Sequence, residues 1–511
     1  MHSSEKIIPL FFLQCLFCLS LTAGTNEFVA SISVDVATPL GRISQNIYGQ
    51  YLEHVQREDE CIYPALWDTN STFRDNSGLR TDVMAVARQL GTPVVRWPGG
   101  CFADVYHWRD GVGPQEKRPL RMNKHWGGEE PNHFGTDEFL NWCKQVGCSA
   151  YINVNLGTGT LNECLDWLSY CNATNQRVQF WGIGNETFAP WEAGNMDAPT
   201  YARTLAKWSA AVRVRDPRVK IMGVGSMSAE NPEWDRAVLQ AAGQNLDFLT
   251  IHAYGYSTGR KDEFEAVAFT PVYFEQRLRK MLRVIDEFAA QRANQEPIGI
   301  AMDEWNIRHY QGDQLNRKDP RTLQDAVFVA GVLNSMIRLS PRVAMANYVF
   351  LVNGNGVMLV NRDQIVTTPL FHVFQKYREC MTGHALSVTV NCPTTTPPLP
   401  QTHTPKHKPP PDFKISPQPW LDVTAALRED GKLSLAIVNR HPTATAKTVL
   451  KLPSGFIPST SWTLSDADVF SANTFIQPDR LKPKLMETSS KPEWVCPPQS
   501  VTLLVCEKKL K

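Results

Sequence analysis

With 511 residues, 42% of them apolar and 20% charged, the chain has the make-up of a folded protein large enough for one enzyme-sized domain and a smaller companion. A formal net charge of +1 removes the electrostatic case for nucleic acid or an anionic membrane surface as the main partner. Neutral substrates suit that balance. Fourteen Trp, most of them core material, also offer flat faces on which sugar rings can stack.

The chain opens with Lys6, an apolar stretch from Ile7 to about Leu21, and the small pair Ala23-Gly24. This reads as a signal peptide over 1–24, too short for a membrane span, and predicts a secreted, extracellular protein. Two of the twelve cysteines, Cys15 and Cys18, lie inside it. The other ten contain no Cys-x-x-Cys pair, so neither a metal site nor a cofactor is expected, and disulfide pairing is not legible. Asn70-Ser-Thr and Asn172-Ala-Thr are N-glycan sequons.

Residues 25–45 contain Phe28–Val36, whose period-two alternation predicts a strand joining a C-terminal β-sandwich. Eight apolar, β-branched runs follow: Asn46–Leu52, Val94–Trp97, Ala150–Asn155, Phe180–Gly184, Val219–Val224, Phe248–His252, Ile298–Trp305 and Ala344–Val349. Helical patterns such as Thr81–Leu90, Asp137–Val146, Tyr201–Arg215 and Pro271–Gln291 separate them. This alternation predicts an α/β fold, a (β/α)8 TIM barrel over 46–382. From 383 to 511 the pattern changes to antiparallel strands, Leu386–Val390, Trp420–Leu427, Lys432–Asn439, Thr448–Lys451 and Ser500–Cys506, as in a β-sandwich. A Pro/Thr-rich insertion at 392–419 cannot build a ladder and is read as a solvated loop without chemistry.

Catalytic groups of such barrels sit where strands open into loops at their C-terminal ends. The fourth run ends in Asn185-Glu186 and the seventh in Asp303-Glu304-Trp305. The two glutamates are 118 residues apart, or three barrel units of about 39 residues. Either one alone is better explained as a surface residue or a helix N-terminal charge. As a pair facing across the mouth, flanked by Asn185 and Trp305 as sugar contacts, they suit glycoside hydrolysis, which needs one protonated and one ionised carboxyl. Asp303, next along its strand, is expected to point to the opposite face and play a supporting part. Strand one supplies Glu53 and His54. Strand two supplies Arg96, able to hold a carboxylate ionised, and a Pro-Gly-Gly turn before Cys101. Strand six supplies Tyr254, and His252 as either a ligand contact or a structural histidine. Asn185-Glu-Thr also fits a glycan sequon, but this placement leaves a glycan no room.

Several of these segments are specific. Gly49-Gln-Tyr-Leu-Glu53-His54, the run Val95 to Asp104 continuing through Tyr106-His-Trp108 and Asp110-Gly-Val-Gly-Pro114, Phe134-Gly-Thr-Asp-Glu-Phe139, Asn153 to Gly159, Gly182-Ile-Gly-Asn-Glu186 and Asp303-Glu-Trp-Asn306 together resemble the α-L-arabinofuranosidases of glycoside hydrolase family 51. The resemblance spans nearly the whole chain after the signal. It implies Glu186 as acid/base, Glu304 as nucleophile and retention of configuration. It also implies Glu53 and Asn185 as contacts to furanose hydroxyls, Arg96 and Tyr254 as partners of the nucleophile, and Cys101 in the substrate wall. The implied substrate is an arabinose-containing polysaccharide or oligosaccharide, attacked at its end. Many members of the family are homo-oligomers, so self-association is open. One departure is Gly356, near which relatives often carry a Gln touching the sugar; Arg308 is a further contact beyond the scissile bond. Two other readings compete. One is another activity of the same clan, an endo-glucanase or xylosidase. The other is a non-catalytic carbohydrate-binding protein, which would have lost a carboxylate that this chain keeps.

Overall fold

A computed structural model describes residues 26–55, 61–173, 177–227, 231–260, 262–292, 295–401, 416–487 and 493–509. The signal segment 1–24 and the central part of the insertion, 402–415, lie outside them.

Eight parallel strands close on themselves: Gly49–Tyr51, Val94–Trp97, Ser149–Val154, Phe180–Ile183, Lys220–Val224, Phe248–Ser257, Gly299–Gln311 and Val343–Tyr348, the last pairing with the first. Each is followed by one helix: α1 Thr81–Leu90, α2 Thr136–Val146, α3 Leu161–Ala173, α4 Ala198–Arg215, α5 Pro232–Ala242, α6 Phe264–Asp286, α7 Leu323–Arg338 and α8 Pro369–Cys380. This is the (β/α)8 barrel that the alternation predicted. Strands buried on both faces need no polar alternation, which is why they read as plain apolar runs. Their inward residues Val94, Tyr151, Phe180, Met222, Ala301 and Met345 fill the barrel as a packed layer.

Three element ends differ from the sequence reading. Residues Gln45–Tyr48 form a 3₁₀ turn, so the first strand starts at Gly49. α6 begins at Phe264 and carries Pro271 inside it, where the sequence placed that proline at a helix start. The sixth and seventh strands run on to Ser257 and Gln311, pairing beyond the barrel rim from Asn306↔Tyr254 to His309↔Ser257. That raised ribbon becomes one wall of the site.

The second unit is a nine-stranded, mostly antiparallel sheet built from Glu27–Arg42 and the C-terminal region. Glu27–Arg42 sits inside it, antiparallel to His384–Asn391 and parallel to Thr445–Lys451. Strand Leu433–Asn439 shows how the two units are joined. Its Leu433, Leu435 and Ile437 face the sheet's own core, and Ala436 and Val438 face the barrel's core. Between barrel and sheet lies α7, with every residue from Leu323 to Ile337 buried, consistent with its apolar residues on all sides. Asp422 on the sheet accepts a 2.6 Å bond from Arg338 of α7, locking the two units together. Strands Phe456–Leu464, Lys484–Glu487 and Glu493–Cys496 were not foreseen. Pro458 obscured the first, and the other two are only four residues long.

Candidate active site

A cavity of about 350 Å³ opens at the C-terminal ends of the barrel strands. Glu53, Cys101, Glu186, His252, Tyr254 and Glu304 line it together.

Glu304, at the seventh strand, is 7% exposed and held from three sides. Arg96 of the second strand donates to Oε1 at 2.7 Å, Tyr51 donates to the same oxygen at 3.4 Å, and the Tyr254 hydroxyl donates to Oε2. Arg96 is itself buried and pinned, giving a second bond of 2.8 Å to Asn185 Oδ1 and a 3.2 Å bond to the carbonyl of Asp303. A planar guanidinium suits this fork of acceptors and sets a fixed positive charge beside the carboxyl group. The Pro-Gly-Gly turn lets backbone come close: a Cβ on Gly100 would collide with Glu304 Oε1 and crowd the Tyr51 hydroxyl. The amides of Gly100 and Phe102 instead donate to Glu53 Oε1 at 3.0 and 3.1 Å. Burial, and then the charge of Glu304, raise the Glu53 pKa.

Glu186 has a different setting. It is 7% exposed and follows Gly184 (φ +88°) at a sharp strand-to-loop turn, with its own φ at +37°, a strained value for a side-chain-bearing residue. Its Oε1 lies 2.8 Å from His252 Nδ1, and the Trp191 indole donates to Oε2 at 3.0 Å. Among the described residues no guanidinium bonds it. Burial opposes charge on His252, but Glu304, Asp303 and Glu186 around it outweigh that and push it up to about 10. Burial likewise favours the neutral form of Glu186, and the contacts with His252 and Trp191 overcome it and lower its pKa. Glu186 and His252 thus share a proton across one short contact. Asp303 Oδ1, 3.2 Å from His252 Nε2, orients the ring from the far side.

One oxygen of Glu186, one nitrogen of His252 and one oxygen of Glu304 all lie within 4.8 Å of one another. By type they could ligate a metal. Their electron pairs are already engaged, however, by Arg96 and Tyr254 at Glu304 and by Trp191 and His252 at Glu186, and the guanidinium supplies the balancing charge.

Two expectations about the seventh strand need correction. Asp303 does not point to the opposite face from Glu304. Its pairing slips between Ala301 and Glu304 against the sixth strand and between Met302 and Trp305 against the eighth, and the bulge turns Asp303 inward to Tyr151, which donates at 2.8 Å, and to Arg96. Trp305 is not a sugar contact. It is fully buried in the layer between barrel and helices, edge-on to Tyr348 at 5.1 Å and against Phe374 of α8.

Asn185 and Arg96 stand behind the wall rather than on it, and Asn185 spends its amide on Arg96 and on Glu192, at 3.1 Å. At 1% exposure it is no glycan acceptor, whereas Asn70 is exposed. His54 is structural, bonded to Glu130 at 2.9 Å and accepting from Trp97 at 3.0 Å. Arg308 reaches the cavity over the Tyr254 ring. At Gly356 a side chain would strike the backbone of Val352 and Asn353, so this loop offers Asn355 to the cavity instead. The insertion is not remote from the site either, since its Pro400 and Gln401 line the cavity. Sequence reasoning missed Trp191 and His125, which sit in long loops where no periodicity marks them. Their one signal was an aromatic or imidazole ring on a loop following a barrel strand.

Comparisons with known proteins identify the family. The model of the Alpha-L-arabinofuranosidase 1 domain matches residues 86–268, and that of the Alpha-L-arabinofuranosidase C-terminal domain matches 303–500. A probable α-L-arabinofuranosidase C of Aspergillus niger is 31% identical over 472 residues, covering 86% of this chain and 90% of the relative. The arabinose complex of the Thermotoga maritima α-L-arabinofuranosidase superposes with a TM-score of 0.83 at 32% identity, over 94% of this chain and 100% of that one. The thermostable GH51 α-L-arabinofuranosidase of Thermotoga petrophila gives the same figures, a TM-score of 0.83 at 32% identity over 94% and 100%. The chain belongs to the α-L-arabinofuranosidases of glycoside hydrolase family 51.

Proposed function

We propose that this protein is a retaining, exo-acting hydrolase that releases α-L-arabinofuranosyl residues from arabinose-containing polysaccharides and oligosaccharides, with Glu304 as nucleophile and Glu186 as acid/base. The observation that carries this is the pair itself. Oxygens of the two carboxyl groups approach within 4.8 Å, near the roughly 5 Å of retaining enzymes and well short of the 6.5–9.5 Å that leaves room for a water in inverting ones.

Glu304, held by Arg96, attacks the anomeric carbon as a carboxylate. The bond from that carbon to the leaving oxygen breaks as Glu186 gives the oxygen its proton. In the second half, Glu186 takes a proton from water, the oxygen of that water attacks the same carbon, and Glu304 departs. His252 fits both halves because it can hand the shared proton to Glu186 and take it back. Glu53 and the Cys101 thiol would receive the sugar, and Trp191, Arg308 and Tyr256 would face the leaving group. A cavity, rather than an open groove, suits a terminal sugar. We also infer secretion from the segment 1–24.

Proton NMR of the first product formed from a 4-nitrophenyl α-L-arabinofuranoside tests retention. The α-anomer should appear first, and the β-anomer appearing first would overturn it. Turnover of the matching xyloside or glucoside in preference to the arabinoside would overturn the sugar assignment.

A further inference from the structure

Beside the two glutamates is a second cluster, of which the hydrolytic reading uses only the Cys101 thiol as part of the cavity wall. Cys101, His125 and Glu192 come from three separate loops, and one donor atom from each lies within 4.8 Å of the others. Cys101 follows the second barrel strand, His125 lies between the short pairing segments Arg121–Met122 and Glu129–Glu130, and Glu192 follows the fourth strand.

Three observations make this more than proximity. Glu192 is 5% exposed, and although its Oε1 accepts from Asn185, its Oε2 is buried without an N–H or O–H donor and lies against the Cys101 thiol. The imidazole of His125 makes a ring contact with Trp126 at 4.7 Å, and neither of its nitrogens has a hydrogen-bond partner among the described residues. The Cys101 sulfur is a free thiol on the cavity wall. Thiol, imidazole and carboxylate, with their donor atoms within 4.8 Å of one another, are the donor set of a three-ligand zinc site with an open fourth position.

We propose that Cys101, His125 and Glu192 form a binding site for zinc(II), or a divalent ion of similar softness, on the wall of the sugar cavity. On binding, the Cys101 S–H bond breaks and the proton that burial holds on the Glu192 carboxyl leaves, both protons passing to solvent as the zinc–sulfur and zinc–oxygen bonds form; no change of oxidation state is involved. Tetrahedral zinc holds its donors about 3.5 Å apart, so the cluster closes on the ion by small side-chain movements. The surrounding charge favours a dication: Glu53, Glu192 and Glu186, which resist a bare thiolate at Cys101, are all neutralised in part by the ion. The ion's fourth position faces the same cavity as Glu186, so the metal site and the sugar site share space and metal binding blocks hydrolysis.

Cobalt(II), a spectroscopic stand-in for zinc, tests the site without reference to catalysis. Titration of the full chain with CoCl₂ should give a 1:1 complex with a near-ultraviolet sulfur-to-cobalt charge-transfer band that zinc displaces. The band should disappear in Cys101→Ser, and binding should weaken at least about tenfold in His125→Ala, which retains the sulfur ligand. Absence of the band in the wild-type chain, its survival in Cys101→Ser, or unchanged affinity in His125→Ala would each overturn the proposal. None of these results depends on whether the chain cleaves arabinosides.

Discussion

The fourth and seventh barrel strands end in glutamates of equal burial, yet the protein treats them in opposite ways. At the seventh strand, Glu304 is clamped by a permanent cation, Arg96, with Tyr51 and Tyr254 completing its hydrogen bonds. At the fourth strand, Glu186 meets a titratable partner, His252, and one indole N–H on a half-exposed Trp191. A guanidinium has no proton to give at any working pH, so it can only fix a charge. An imidazole can move a proton, so it suits a group that must donate and then recover one. The neighbours, rather than the carboxyl groups, assign the roles.

The largest way to break this contrast is to remove the fixed charge's target. Glu304→Ala should lower kcat by roughly 10⁴-fold or more on every substrate, because no leaving group, however good, replaces the nucleophile. Equal, modest losses across substrates would count against covalent catalysis. Glu186→Ala should be selective: about 10³-fold slower on arabinosides with alkyl or sugar leaving groups, and far less impaired on 4-nitrophenyl arabinoside, which departs without a proton. Uniform losses would remove its acid role.

The proton-sharing partner can be tested next. His252 contributes the contacts that lower the Glu186 pKa against the opposing pull of burial. Those contacts place one proton between the two groups, and the imidazole, pushed up to about 10, holds it into the alkaline range. In His252→Gln that proton rests on Glu186 alone, so the alkaline limb of the kcat/KM–pH profile should move downward relative to wild type. An unchanged or upward-moved limb would mean that His252 does not hold the proton for Glu186. The smallest effect is expected for Trp191→Phe, which deletes one hydrogen bond to Oε2 at a partly open position. A loss of only a few-fold is expected in kcat on poor leaving groups, from about 1 kcal/mol of interaction.

Much of this site was legible because barrel geometry is periodic. Once the apolar runs are counted, the strand ends locate Glu186, Glu304, Glu53, Arg96 and Tyr254 without any knowledge of the loops. The misplacements have one physical origin each. Simple alternation from Glu304 misplaces Asp303, because a bulge between Ala301 and Glu304 breaks it, whereas adjacency to Glu304 assigns Trp305 to the sugar although alternation turns it outward. Trp191, Glu192 and His125 come from loops whose path is set by tertiary contacts, so no local pattern encodes their arrival at the cavity. The insertion's Pro400 and Gln401 reach the cavity for the same reason: proline-rich composition excludes a ladder, but says nothing about where the chain travels. In the second unit, the strands with clean alternation or continuous apolar character were read, and the short or proline-bearing ones were not.

Which carboxylate bonds to the sugar decides the division of roles between Glu304 and Glu186. Incubation with a slow 2-fluoro arabinofuranoside bearing a good leaving group should trap the glycosyl-enzyme, and peptide mass spectrometry then locates the added sugar. The label should sit on Glu304 and be absent in Glu304→Ala. A label on Glu186 or Asp303, or turnover without any trapped adduct, would contradict the roles assigned here.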